Sequence, residues 1–380
     1  VKDDKIDLPD EKMATDTPEG PVPQPTPPDD RVGFAVVGLG RLSLEEILPA
    51  FGVSKKARLV ALVSGTPDKA AIVAREHGVK PTSIYRYENY DSIRDNPEIK
   101  AVYIVLPNAL HAEFTIRAAK AGKHVLCEKP MTTNVADAQR MIDACAQSGV
   151  KLMIAYRCQY EPYNRAVIAA VQAKEMGAVG MINTCNYQNQ ADLGQWRLKK
   201  ALSGGGSLPD VGLYCLNSAR AVLGEEPQEV WATLWSPSGD PRFAEVEANV
   251  SFTLRFPSGA IANCSSSYAI HESRQLGVHG PDKDMHLANA FGYSGQELTV
   301  SRQEGEVTHK DRQVITAKNQ FALELDHMAT CIKENLQPHT PGEEGLQDQR
   351  ILEAIYESAR TGQSVKLTPP PGPTRGPAPA

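Results

Sequence analysis

The sequence predicts an α/β protein in which an N-terminal, doubly wound parallel-sheet domain is followed by an α+β domain with a large, mostly antiparallel open sheet. Three observations predict this. Apolar runs of strand length alternate with helical patterns from residue 33 to about 156. Strand patterns then follow one another directly after about residue 160. Between the first strand and the first helix the chain breaks into glycines, at Gly38 and Gly40.

In the first half, strands are expected at 33–37, 58–63, 101–106, 123–127 and 151–155, with helices at 69–77, 112–121 and 135–148. Strand, helix, strand in that order requires right-handed crossovers and a parallel sheet covered on both faces. In the second half, a helical pattern over 162–175 precedes a glycine-rich stretch at 204–207. Strands are expected at 229–234, 245–256, 260–268, 274–279, 297–301 and 313–316, with turn signals such as Pro257, Ser258 and Gly259 between them. Val246, Ala248, Val250, Phe252, Leu254 and Phe256 alternate, marking one apolar face. Phe321, Leu325, Met328 and Ile332 fall at helical spacing, and a last helix from about 346 stops at Gly362.

The boundaries that follow are an acidic, Pro-rich arm over 1–30, a dinucleotide-binding domain over 31–156, a substrate-binding and oligomerisation domain over 157–366, and a Pro-rich tail over 367–380. The last helix can pack back on the first domain. Arm and tail are expected to be disordered on composition. Residues 1–30 hold nine acids and three lysines, so they account for the whole net charge of −6, and the remainder is neutral. With no basic stripe interleaved with aromatics, a nucleic-acid surface is not expected. The seven cysteines are dispersed without metal-ligand spacing, so neither a metal site nor a disulfide framework is expected. No apolar run reaches the roughly 18 residues of a membrane span. The sequence opens on Val1 rather than an initiator methionine, so either a leader has been removed or the sequence begins downstream; the periplasm is favoured, with the cytoplasm the alternative.

The run from Gly33 through Gly38, Leu39, Gly40, Arg41 and Leu42 to Ser43 has the order of a phosphate cradle: a buried strand, a tight turn, a glycine that admits backbone amides to a pyrophosphate, and a helix N-terminus. A plain tight turn has the same outline, because Ser43 stands at the third glycine position. After the second strand, Ser64 and Gly65 occupy the place of the ribose contact, where an acid would hold the 2'-hydroxyl of NAD. None is present. With Lys69 nearby, that pocket edge suits a 2'-phosphate and hence NADP, unless Lys69 is only a solvated helix residue.

In such folds substrate sits at the carboxyl ends of the strands. The third strand ends in Leu106, Pro107 and Asn108, with His111 following, and the fourth in Glu128, Lys129 and Pro130. A desolvated Lys129 beside a cationic nicotinamide has a depressed pKa and can exchange a proton with a substrate hydroxyl; the plainer alternative is a Glu128–Lys129 pair in solvent. Asp210 and Tyr214, four apart, share a face if the segment is helical. They then serve as anchor and as acid or base, or else as an N-cap and a packed aromatic. Arg157, Tyr160, Trp196 and Arg197 offer donors and flat faces to a polyol, or equally serve domain packing or the surface.

Together, the Val37–Gly40 run, the Glu128-Lys129-Pro130 turn and the later Gly-Gly-Ser-x-x-Asp210-x-Gly-x-Tyr214 pattern resemble the Gfo/Idh/MocA oxidoreductases over about residues 31–366. The sequence around 106–113, Gln195-Trp196-Arg197-Leu198 and 341–345, with the Pro-rich arm, is most similar to the glucose-fructose and aldose-aldose oxidoreductase subgroup. The resemblance implies a tightly held NADP(H), oxidation of an aldose to its lactone and reduction of a second sugar by the same cofactor. It implies Lys129 and Tyr214 as the catalytic pair, with Asp210 positioning substrate. It places Ser64, Lys69 and Tyr87 on the 2'-phosphate side, the arm across the nucleotide, and self-association, as a dimer or tetramer, on the C-terminal sheet. Arg41, Ser43 and Pro209 depart from the commonest pattern. The alternatives are a sugar dehydrogenase that releases cofactor, glycoside cleavage through transient redox with retained NAD, and a non-catalytic nucleotide sensor.

Overall fold

The computed structural model describes residues 30–379, so the arm over 1–29 lies outside the described residues. Six strands build the first sheet: β1 (Val32–Val37), β2 (Ala57–Val63), β3 (Ile84–Tyr85), β4 (Ala101–Ile104), β5 (His124–Glu128) and β6 (Leu152–Ala155). Their order is β3-β2-β1-β4-β5-β6, all parallel, which puts the reversal of strand order between β1 and β4. The strands are buried on both faces, as a parallel sheet requires. Short β3 escaped the sequence reading, because two residues carry no periodicity.

Helices α1 (Leu48–Val53), α2 (Pro67–Glu76), α3 (His111–Lys120) and α4 (Val135–Gln147) supply the crossovers. Beyond them come α5 (Pro162–Gln172), β7 (Met181–Asn189), α6 (Lys200–Ser203) and α7 (Leu213–Leu223). A run of strands follows: β8 (Glu229–Trp235), β9 (Asn249–Arg255), β10 (Ile261–Ser267), β11 (Ala269–His279), β12 (Lys283–Ala288), β13 (Glu297–Glu304) and β14 (Val307–Gln313). The chain closes with α8 (Gln320–Lys333), α9 (Gly342–Thr361) and β15 (Val365–Lys366).

The second sheet has nine strands in the order β14-β13-β12-β11-β7-β10-β9-β8-β15, antiparallel except for the β7–β10 pair. Its central strand, β7, was missed because the buried positions alternate as Ile182, Thr184 and Asn186, two of them polar. The edge strand expected over 313–316 lies instead at Val307–Gln313, where hydrogen bonding to β13 organises an all but wholly polar sequence. The face marked by Val246 through Phe256 is buried throughout.

The returning chain ties the two units together. Phe321, Leu325 and Met328 of α8 pack on Phe34, Leu62, Tyr103 and Leu126 of the first sheet, while Ile154 donates its N–H to Thr340 O. The 367–379 segment, expected to be disordered, lies instead against the body. Thr374 is buried and donates to Glu226, Arg375 donates to Glu344 at 2.9 Å, and Gly376 N–H donates to His339 O. Side-chain ion pairing fixes a segment that composition alone would leave loose.

Candidate active site

The cradle is built by its glycines. Gly38 has φ +97°, and a side chain there would collide with Val105 O of the neighbouring strand end. At Gly40 nothing lies within 4 Å of where a Cβ would stand, so no protein contact demands glycine; a ligand approaching the backbone would. Ser43 takes over at the third position by donating its hydroxyl to Gly38 O at 2.6 Å, which ties the turn to the helix start. There the first turn is widened, with Leu48 N–H bonded to Ser43 O. These residues fit a bound dinucleotide. Leu39 is buried, Leu42 packs on the core beneath, and Arg41 projects outward onto Glu45.

At the ribose end Ser64 is buried and its Oγ accepts from Thr66 N–H. The ring of Tyr87 lies against Gly65, 3.0 Å from where a Cβ would be, and edge-on to Phe114. Lys69 is half-buried, and its ammonium donates one hydrogen to Leu39 O at 2.5 Å, which ties it to the cradle and leaves its other hydrogens toward the pocket edge.

Loops leaving β4 and β5 are fastened to each other. Leu106 is buried beside Pro107, and the wholly buried His111 has one ring nitrogen 2.8 Å from Leu106 O and the other 2.9 Å from Pro130 O, so its single N–H serves one of the two carbonyls and neither nitrogen faces a ligand. Asn108 donates to Ser203 O across the domain junction. Glu128 is buried as well, accepting from the Tyr103 phenol at 2.8 Å and from Lys129 N–H. Burial pushes its pKa up against the pull of Lys129; because Glu128 is buried and the lysine ammonium is turned to Asp210, the two do not form a solvent-exposed pair.

Lys129 instead reaches Asp210, with Nζ 2.8 Å from Oδ1 and 2.9 Å from the backbone O. The other oxygen of Asp210 accepts from Arg197 Nε at 3.0 Å and from the Tyr268 hydroxyl at 2.6 Å. Burial alone would raise the carboxyl pKa, but Lys129 and Arg197 outweigh it and hold Asp210 well below the usual range. Among the protein groups alone the reciprocal balance holds at Lys129. Burial lowers its pKa, yet the Asp210 carboxylate overrides burial and holds it above the ordinary lysine value.

Asp210 and Tyr214 do share a face, through a widened turn over Leu208–Gly212 closed by Leu213 N–H to Leu208 O, which runs into α7. Glu247 pins that turn by accepting from Gly206 N–H and Leu208 N–H, and Gly206 leaves no room for a side chain against Glu247 O. The Tyr214 ring stands 4.6 Å from Lys129 Nζ. Arg157 Nε donates to its hydroxyl at 3.2 Å. The remaining nitrogens of Arg157 are occupied by Gln320 Oε1, Phe291 O and Gly292 O, so this buried arginine supports Tyr214 rather than offering a fork to a ligand. Trp196 lies beside the Arg197 guanidinium at 4.6 Å, at the edge of the crevice.

Tyr160 is not brought to the site. Its hydroxyl pairs with Thr340 at 3.0 Å and its ring packs among His327 and His339, in the core on the far face of the first sheet. Sequence reading missed Tyr268, Glu247 and Tyr293. Each reaches the site from the second sheet or its loops, and long-range placement leaves no local motif.

A glycine cradle facing a lysine, an aspartate and a tyrosine drawn from two domains defines a two-domain dinucleotide-dependent enzyme. A family model described as an oxidoreductase family with an NAD-binding Rossmann fold matches residues 32–156, and one described as a GFO/IDH/MocA C-terminal domain matches 164–285. The chain belongs to the Gfo/Idh/MocA oxidoreductase family. It is 32% identical over 348 residues to a D-xylose 1-dehydrogenase (NADP(+)) of Haloarcula marismortui, covering 90% of this chain and 95% of that one. The aldose-aldose oxidoreductase of Caulobacter crescentus, solved with glycerol, superposes with a TM-score of 0.86 at 44% identity, covering 89% of this chain and all of the other. A 1,5-anhydro-D-fructose reductase of Ensifer adhaerens is 25% identical over 343 residues, 88% of this chain and 98% of that one.

Proposed function

We propose that this protein is an NADP-dependent sugar oxidoreductase that oxidises an aldose at C1 to its lactone and reduces a second sugar with the same, retained cofactor. One observation carries the reading: Lys129 and Tyr214 meet beside the strand ends, the lysine with one hydrogen unspent and the phenol oxygen with its own proton free to be lost or gained. Of the three ammonium hydrogens of Lys129, two go to Asp210, leaving one for a substrate oxygen. Tyr214 accepts from Arg157, and among the described residues its own O–H has no protein acceptor. A nicotinamide held in the cradle would supply the hydride-accepting carbon. Lys129 would hold the C1 hydroxyl oxygen and Asp210 fixes the lysine, while Tyr214 takes the hydroxyl proton as the phenolate and is left as the phenol. In the second half-reaction the same groups return the proton to the carbonyl oxygen of the acceptor sugar.

Similarity to an aldose-aldose oxidoreductase and to an NADP-named xylose dehydrogenase supports the sugar and the cofactor. The open sheet face exposes Trp231 and Trp235 at 48% and 58%, which favours self-association there. Mixing purified protein with excess aldose and no added cofactor tests the proposal. Stoichiometric appearance of nicotinamide absorbance, reversed by a second sugar, is expected. A protein that needs external NADP in every turnover is instead an ordinary dehydrogenase.

A further inference from the structure

The loop between β12 and β13 is held more firmly than its position at the mouth of the crevice requires. Arg157 takes the carbonyls of Phe291 and Gly292, and Gln320 takes those of Gly292 and Tyr293, the last at 2.7 Å. Asn164 takes Ala290 O, Gln296 takes Gly292 O, and Asn289, at φ +50°, folds back onto Ser294 O. Within this rigid frame Tyr293 leaves 47% of its surface exposed. Its ring is fixed as well: the Arg157 guanidinium lies 4.5 Å from the centroid and Phe321 meets the ring at a steep angle, 5.3 Å between centroids. The same guanidinium lies 4.8 Å from the Tyr214 centroid, so one buried cation braces both tyrosines.

An exposed aromatic ring on a clamped loop is a preformed stacking surface, because binding against it orders nothing new. Pyranose rings have apolar C–H faces and a polar rim, and they match such a surface beside donors that take the rim. We propose that Tyr293 is a substrate-contacting residue that stacks on the pyranose ring of the aldose and sets the preference of the site for cyclic sugars over small acyclic ones. The inference rests on the sugar-oxidoreductase reading and adds to it the surface that selects ring over chain.

The test compares wild type, Tyr293→Ala and Tyr293→Phe, each loaded with NADP, using D-xylose or D-glucose as the cyclic substrate and glyceraldehyde as the acyclic one. Loss of the ring should raise KM and the calorimetric Kd for the pyranose by roughly three- to tenfold, the range expected of one aromatic contact. The KM for glyceraldehyde and the affinity for NADP should stay unchanged. Tyr293→Phe, which keeps the ring, should restore the pyranose values, whereas a merely structural role would move both substrates together. Tyr293→Ala with a wild-type pyranose Kd overturns the inference, as does an equal loss for glyceraldehyde. Wild-type protein that binds pyranose without forming lactone refutes the proposed reaction but not the stacking surface; wild type that binds no pyranose removes both.

Discussion

Two buried ion clusters, one at the start of α7 beside the crevice and one farther along the helix, use the same residue types to opposite ends. At the mouth of the crevice, one carboxylate, Asp210, serves two cations and a phenol, and the participating side chains keep between 11% and 31% exposure at the lysine and arginine. Farther along the helix, to the rear of the crevice, one cation, Arg220, fully buried, serves three carboxylates: Glu226, Glu344 and Asp348. Glu344 and Asp348 are further saturated by Asn217, and Glu344 by Gln159 and Arg375. The difference lies in what is left over. The front cluster keeps a lysine hydrogen unspent and the rear one spends every nitrogen of its arginine, so the first can act on a substrate and the second can only hold α7, α9 and the C-terminal segment together.

The largest effect should come from emptying the front cluster. Lys129→Ala and Tyr214→Phe should each lower kcat/KM by about 10²–10⁴-fold, the range for a positioned acid–base group. Bound NADP and the unfolding midpoint should change little, because Asp210 retains Arg197 and Tyr268. Full turnover in either variant removes that residue from the chemistry. The rear cluster should behave in reverse. Arg220→Met leaves the buried Asp348 with no cation and Glu344 with Arg375 alone, a loss of about 3–5 kcal/mol in stability. Urea unfolding that leaves the midpoint in place would show that the arginine contributes nothing net.

The two clusters were unequally legible in the sequence. Asp210 and Tyr214 carry a spacing, Lys129 ends a strand run before a proline, and the cradle has its glycines, so the front cluster can be read locally. Arg220, Glu344 and Asp348 look like ordinary helix residues, and only the packing of α7 on α9 turns them inward. Fold legibility divides in the same way. Alternating apolar residues disclosed β9, whereas β7, with Thr184 and Asn186 at buried positions, and β14, with almost no apolar residue, depend on neighbours for their strand identity. The error at Tyr160 has the same origin: a tyrosine three residues after Arg157 turns to the opposite face of the sheet, and nothing nearby in the chain says so.

Smaller changes sharpen the contrast. Tyr268→Phe removes one of the donors on Asp210 while leaving both cations, so a hydrogen bond to a charged acceptor worth about 1.5–3 kcal/mol is lost. About tenfold in kcat/KM, with KM bearing less than kcat, is the expected reading in steady-state kinetics. An unchanged kcat would mean that Lys129 and Arg197 alone fix the carboxylate.

The smallest effect concerns pH and sets Asp210 against Asp348. Cations hold the pKa of Asp210 below its unfolded value, so its stabilisation is present above about pH 4 and fades only as pH falls through the lowered value. Asp348 shares one arginine with other carboxylates. Burial raises its pKa first, Arg220 pulls it back, and Glu344 beside it raises it again, to about 6. A raised carboxyl stabilises the fold fully below its unfolded pKa, and that contribution disappears as pH rises through about 6. Relative to Asp348→Asn, wild-type stability should therefore decline between about pH 4 and 6 and run parallel above it. The matched Asp210→Asn variant should show no such slope in that window. Equilibrium urea unfolding across the range reads both, and a wild-type curve parallel to Asp348→Asn throughout would mean that Arg220 keeps Asp348 ionised despite the crowding.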